Sequence, residues 1–414
     1  MTMGNRIPDE ETAYPERMSN SIKSRRPWCD MLGRITSSGN YLPEVDGLRF
    51  VAIGSVLAFH IWYAATQASA SYEALAASEH WLLHVAHGAR GVHLFFAISG
   101  FILGLPFANQ FLGSGARVRV GRYFHRRLTR LEPPYIVALA GIYLLALVLK
   151  MPDAADPDFS NSFWLRLFYV HGLVTKGFHS LNGVTWSLEI EVQFYLLAPL
   201  IARVFLFPPL VRRTLMLALI GGLPILPTLF PHSGKTIIDF VQFFLVGFLL
   251  ADLQVTSPPR QSHARMRVLA DVIGGLGIFG MASVSERISA IWILPWSILF
   301  ILFGALRGDT LRKLLSFPLF TIIGGMCYSI YLIHYPLMSF VAHKLPLTGL
   351  GQWQSSLLHA TVSLPILAVA SLGFFLLIER PCMNPAWPGQ LSTTIRRRLS
   401  RLRKCRNVGK VKPS

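Results

Sequence analysis

Residues 357–379 read LLHATVSLPILAVASLGFFLLIE, a run without one Asp, Glu, Lys or Arg before its last position. A helix rises about 1.5 Å per residue, so about 20 such residues cross the ~30 Å hydrocarbon core of a bilayer. Similar runs recur back to residue 47 with short polar breaks, at roughly 47–66, 88–107, 133–150, 186–207, 213–230, 237–253, 268–283, 291–306 and 317–342. The expected fold is an all-α membrane protein, a bundle of about ten transmembrane helices. Periodicity adds little, because the buried and lipid-facing sides of a spanning helix are both apolar.

Composition agrees. Of 414 residues, 52% are hydrophobic and only 14% charged, too few ionisable groups for a water-soluble protein of this length. The net charge of +18 does not point to nucleic acid, since the basic residues cluster beside apolar spans. They track topology instead. Basic stretches are the N-terminal tail, Arg117 to Arg130, Arg212 with Arg213, Arg260 with Arg265 and Arg267, Arg307 with Arg312 and Lys313, and the C-terminus. They alternate with acidic or nearly neutral loops: Glu73 and Glu79, Asp153 with Asp156 and Asp158, the stretch around Lys235, Glu286 beside Arg287, and His343 with Lys344. Lys and Arg concentrate on the cytoplasmic side, so both termini are expected there.

The domain division follows. Residues 1–45 lack the apolar core of a signal peptide and are expected to be a cytoplasmic tail. Residues 46–380 form the membrane domain, and 381–414 a basic cytoplasmic tail whose run Arg396 to Arg406 suits anionic headgroups. The cysteines, Cys29, Cys327, Cys382 and Cys405, show no CxxC spacing, so neither a disulfide framework nor a metal site is indicated. No solenoid-length repeat and no matched pair of broken spans is present, which weighs against a secondary transporter.

Ionisable groups inside spans are costly, and they normally face a bundle interior or a wet cavity. His60 is such a group, three helical turns beyond Arg49 and on the same face, with Arg49 at the membrane boundary beside Asp46. It is either a functional imidazole or one satisfied by a backbone carbonyl. Between 119 and 130 stand Arg119, Arg122, Arg126, Arg127 and Arg130, able to grip phosphate oxygens or, alternatively, lipid headgroups. They lead into Pro133-Pro134 and the third span. In the span that opens Trp186-Ser187-Leu188-Glu189, Glu189 is expected to reach outer water and Glu191 to lie deeper, near Tyr195, either orienting an imidazole or paired structurally. Tyr331 and His334 suit an acceptor cavity. A structural or binding role is expected for His334, because Pro336 frees carbonyls that an imidazole can satisfy. A proton-coupled transporter or glycan exporter would use the same His and Glu as a relay.

The pattern resembles the acyltransferase 3 family of bacterial membrane acyltransferases, which modify polysaccharides, nodulation factors and some antibiotics. The likeness covers residues 41 to 381. It rests on Asp46-Gly47-Leu48-Arg49 with His60; Gly91 to Phe101; Arg126 to Arg130 before Pro133-Pro134-Tyr135; Trp186-Ser187-Leu188 with Glu191, Phe194 and Tyr195; Tyr328 to Pro336; and Glu379-Arg380-Pro381. The resemblance implies that Arg49 and His60 form an R-x10-H element, Arg127 and Arg130 an R-x-x-R element, and Ser187 and Glu191 an S-x-x-x-E element. It implies a multi-pass enzyme of the bacterial inner membrane that takes an acyl group, acetyl in the first instance, from cytoplasmic acyl-CoA. The acceptor would be a hydroxyl of a carbohydrate or similar molecule, with no permanently bound cofactor. His60 would be the general base, with Glu191 orienting it, or would carry the acyl group transiently. Arg122, Arg126, Arg127 and Arg130 would hold the donor. Asp46, Trp186, Ser187, Tyr195, Tyr331 and His334 would line or support the acceptor cavity. The chain departs from the common pattern at His93, Glu132 and Cys327. The few residues beyond 381 lead one to expect a transferase without the esterase-like domain that some members carry.

Overall fold

The computed structural model describes residues 41–68, 90–151, 154, 156–175, 181–230, 235–257, 263–284, 287–384 and 386–389, with 287–290 described for backbone alone. All belong to one compact unit, Arg34–Ser414, and among them the secondary structure is helical with no strand. The tail up to residue 40, the run Arg396 to Arg406, Glu73, Glu79, Asp153, Arg260, Glu286, Cys29 and Cys405 lie outside the described residues.

The principal helices are α1 (Pro43–Ala68), α2 (Gly91–Leu112), α3 (Val120–Val148), α4 (Phe159–Leu167), α5 (Trp186–Ile201), α6 (Pro209–Gly222), α7 (Val241–Thr256), α8 (Ala264–Ser283), α9 (Arg287–Arg307), α10 (Pro318–Gly325), α11 (Cys327–Lys344) and α12 (Gln352–Phe374). Six helical stretches are long and apolar enough to cross a membrane: α1, α2, α3, α6 continued to Leu229, α8, and α12 continued to Cys382. Counting α10 and α11 as one span bent by 68° gives seven. About ten were expected. The difference lies in helices such as α7, whose 16 residues extend only about 24 Å. Every residue from Gln242 to Asp252 is buried, so the apolar run of α7 fills the bundle's interior. Hydropathy cannot separate that from contact with lipid.

The third span also starts earlier than its sequence suggests. Pro133 and Pro134 lie inside α3, which begins at Val120. Proline inside a helix leaves the carbonyl four residues back without its N–H, and in a membrane that carbonyl needs another donor. Pro133 frees Thr129 O, which accepts from Trp387 Nε1 at 2.8 Å. Pro199 frees Tyr195 O, which accepts from the Tyr123 hydroxyl at 3.3 Å. Pro336 frees Leu332 O, which accepts from Asn182 Nδ2 at 3.2 Å. An imidazole was expected to satisfy carbonyls freed here; Leu332 O goes to Asn182, and His334 Nδ1 lies 2.8 Å from the neighbouring Tyr331 O.

Close helix approach depends on small residues. The packing of α2 against α7 is tight enough that a Cβ at Gly247 would collide with Phe101 N and the Ala97 carbonyl. Gly324 of α10 abuts the Asp46 carbonyl of α1, and Gly274 of α8 meets Gly304 of α9, the small-residue contact of membrane bundles. Asp252 on α7, fully buried, bridges Arg212 Nε at 2.5 Å and Arg213 Nε at 2.6 Å on α6, so the buried charge is paired. Glu379, in the π turn after α12, accepts the Ser329 N–H at 3.0 Å and the Ser329 hydroxyl, capping α11 just past its bend.

Candidate active site

Polar side chains from five helices meet in a column through the bundle. At one end, His60 of α1 and His334 of α11 are in contact: His334 Nε2 lies 3.3 Å from His60 Nδ1, with ring centroids 4.9 Å apart. His60 Nδ1 is also 3.0 Å from Val56 O, and His334 Nδ1 is 2.8 Å from Tyr331 O. A carbonyl oxygen only accepts, so in both rings the hydrogen is assigned to Nδ1. His60 Nδ1–H then points at Val56 O and at the bare Nε2 of His334, and the lone pair of His60 is on Nε2. His60 is half-buried and His334 fully buried. Tyr335 packs edge-on against His60, its ring centroid at 5.2 Å.

One turn along α11, the Tyr331 hydroxyl donates to Val184 O at 2.8 Å and lies 2.6 Å from Ser187 Oγ. One turn further along α5, Glu191 accepts from Ser99 Oγ of α2 at 2.6 Å, and Tyr195 follows one turn beyond it. The Arg127 guanidinium stands over the rings of Tyr123 and Tyr195, at 4.9 and 5.3 Å, a cation–π arrangement. From Ser187 to Tyr195 the column covers about 12 Å of helix rise.

Several expected neighbours are apart. Glu191 does not reach His60; the group at the imidazole is His334. The two carboxylates of α5 are also exchanged in exposure: Glu189 is 2% exposed, whereas Glu191 is half-buried. Glu189 faces inward because it accepts the Gly172 N–H at 2.7 Å and lies near Arg166 of α4. Arg166 is 1% exposed. Burial pushes its guanidinium pKa down, and the charge of Glu189 opposes that. Asp46 and Arg49 pair at 2.6 Å at the start of α1, eleven residues and about 16 Å from His60. Helix α3 divides its arginines: Arg122 and Arg126 are exposed, while Arg127 and Arg130 are half-buried. Trp186 supports the wall, with Lys235 Nζ 3.8 Å from its ring centroid. His93 packs on Phe243 at 4.6 Å, Glu132 accepts from Tyr169 at 3.2 Å, and Cys327 opens α11 at the bend.

A third histidine, outside every motif read from the sequence, stands beside the pair. His359 of α12 is fully buried between α1 and α11. Its signal was the same as that of His60, an ionisable group in an apolar run.

Residues 42–380 match the acyltransferase domain family. The chain belongs to the acyltransferase 3 family. With its several membrane-length helices, this acyltransferase is a multi-pass membrane enzyme. It is 25% identical over 335 residues to an O-acetyltransferase, OatA, of Staphylococcus aureus, covering 73% of this chain and 52% of the relative. It is 26% identical over 350 residues to the peptidoglycan O-acetyltransferase OatA of Listeria monocytogenes, covering 77% and 53%. The acyltransferase thus spans about half the length of these relatives. No solved structure matches it.

Proposed function

We propose that this acyltransferase is an O-acetyltransferase of the bacterial cytoplasmic membrane, moving acetyl from acetyl-CoA at the cytoplasmic face to a hydroxyl of a surface carbohydrate. The observation that carries this reading is the column itself, with a guanidinium at one end and an imidazole pair at the other. The activity for which the relatives are named, O-acetylation and in one case of peptidoglycan, supports acetyl as the group and a glycan as the acceptor.

In the proposed reaction the acceptor hydroxyl stands at His60 Nε2. Its oxygen attacks the thioester carbonyl carbon while its proton moves to Nε2. The resulting imidazolium donates Nδ1–H to the bare Nε2 of His334, which holds the charged ring in place. The C–S bond then breaks, and the proton on His60 passes to the leaving thiolate, giving free coenzyme A thiol and the acetyl ester. Arg127 and Arg130 hold the donor's phosphates, Arg49 with Asp46 completes the cationic rim, and the pantetheine arm lies along Tyr195, Glu191 and Ser187. Arg122 and Arg126, on the exposed face of α3, meet anionic headgroups.

Purified protein in detergent or vesicles, given labelled acetyl-CoA and a peptidoglycan-derived oligosaccharide, is expected to release thiol and label the glycan. General-base catalysis contributes about 10²- to 10⁴-fold, so His60→Ala is expected to lose at least that much. A variant that folds and keeps more than about a tenth of the rate, a barrier change under ~1.4 kcal/mol, would remove His60 from the chemistry.

A further inference from the structure

His359 sits with Nδ1 3.1 Å from the Ile61 carbonyl of α1 and Nε2 3.0 Å from the Met338 carbonyl of α11. Ile61 follows His60 directly in sequence, and Met338 is one turn beyond His334. Carbonyl oxygens only accept, so each contact that forms is an N–H donated by the ring; a ring with one N–H makes one, and a ring with both makes both. The carbonyl of His359 in turn accepts the Ser363 hydroxyl. The inward face of α12 carries Ser355, Ser356, His359, Ser363 and Ser371, all buried, yet His359 alone among them places a ring nitrogen within hydrogen-bonding distance of a carbonyl on each of α1 and α11 among the described residues. An imidazole is rigid, with its two nitrogens on different sides of the ring, so whichever nitrogen donates, the ring anchored to one carbonyl stands against the other and sets the spacing between them in a way that a flexible side chain cannot.

We propose that His359 is a positioning residue for the histidine pair, a strap that sets the separation of α1 and α11 where His60 and His334 meet. This rests on the reading of His60 as the base. The His60–His334 contact is already 3.3 Å, at the long end of hydrogen-bonding range. A shift of about 1 Å between the two helices breaks it, and misplacements of that size cost about 10²-fold when they reach reacting groups. His359 touches neither substrate nor the reacting atoms, so its loss is expected in kcat and not in donor affinity.

The test compares wild type, His359→Leu and His359→Gln, each normalised to folded protein, for thiol release at saturating donor and acceptor. His359→Leu is expected to lower kcat about 10- to 100-fold with donor KM within about twofold of wild type, and His359→Gln, which keeps N–H donors, to recover part of the rate. The same substitutions in a His334→Ala background are expected to add little further loss, because residues acting as one unit are not additive. Unchanged kcat in both folded variants, or a full additional loss in the His334→Ala background, overturns the proposal. If His359→Leu does not fold, His359→Gln and its combination with His334→Ala decide the matter alone. An inactive wild-type protein would instead count against the proposed reaction, so the two failures are distinguishable.

Discussion

What a titratable side chain can do in this bundle depends on which lone pair its neighbours leave open. Val56 O and Tyr331 O orient the two imidazoles so that His60 presents Nε2 and leans on His334. Position along α3 separates the arginines in the same way. Arg127, whose guanidinium stands over the rings of Tyr123 and Tyr195, is expected to contribute a charge-assisted phosphate contact of about 1.5–3 kcal/mol, so Arg127→Gln is expected to raise donor KM about 10- to 100-fold. Arg126, exposed on the outer face, is not, and Arg126→Gln is expected to leave donor KM within about twofold. Steady-state titration of acetyl-CoA on both variants checks this; equal KM values would return Arg127 to a structural role. His60 and the arginine cluster were legible in the sequence, because charged groups in or beside apolar runs stand out. The partner of His60 was not, because Glu191 and His334 are equally eligible until three-dimensional contact selects one.

Among the helices, the contact of α2 against α7 leaves no room for an added carbon. A Cβ at Gly247 meets backbone atoms of α2, Phe101 N and Ala97 O, and backbone cannot swing aside as a side chain can. Overpacking of this kind costs about 1–3 kcal/mol, so Gly247→Ala is expected to lower the thermal unfolding temperature in detergent. Gly373→Ala in α12, where nothing lies within 4 Å of the added carbon, is expected to leave it unchanged. Equal melting temperatures for the two variants would mean that α2 and α7 leave room for a methyl group between them. Element boundaries were readable where a polar loop separates the runs. They were misread at Pro133-Pro134, because whether a proline ends a helix depends on whether a distant donor, here Trp387 Nε1, satisfies the freed carbonyl.

For the whole molecule, the arrangement of loops makes one prediction independent of activity. With the native cysteines replaced, a cysteine introduced at Asp156 is expected to react with an impermeant reagent on intact cells. Cysteines at Arg122 and Arg265 are expected to react only after permeabilisation. The reverse pattern would put Arg127 on the wrong side for a cytoplasmic donor. The sequence by itself determined that this chain lives in a bilayer, that it is helical, which family its motifs resemble, and which few charged groups stand inside the apolar runs. The bilayer, the helices and the buried charges follow from transfer free energy and local spacing, and the resemblance rests on the motifs themselves. Only the tertiary structure decided that α7 is a buried helix, that Glu189 turns toward Arg166, that His334 meets His60, and that His359 reaches both of their helices. Those facts depend on which faces of distant helices touch, and a side that is apolar all round carries no mark of its neighbour.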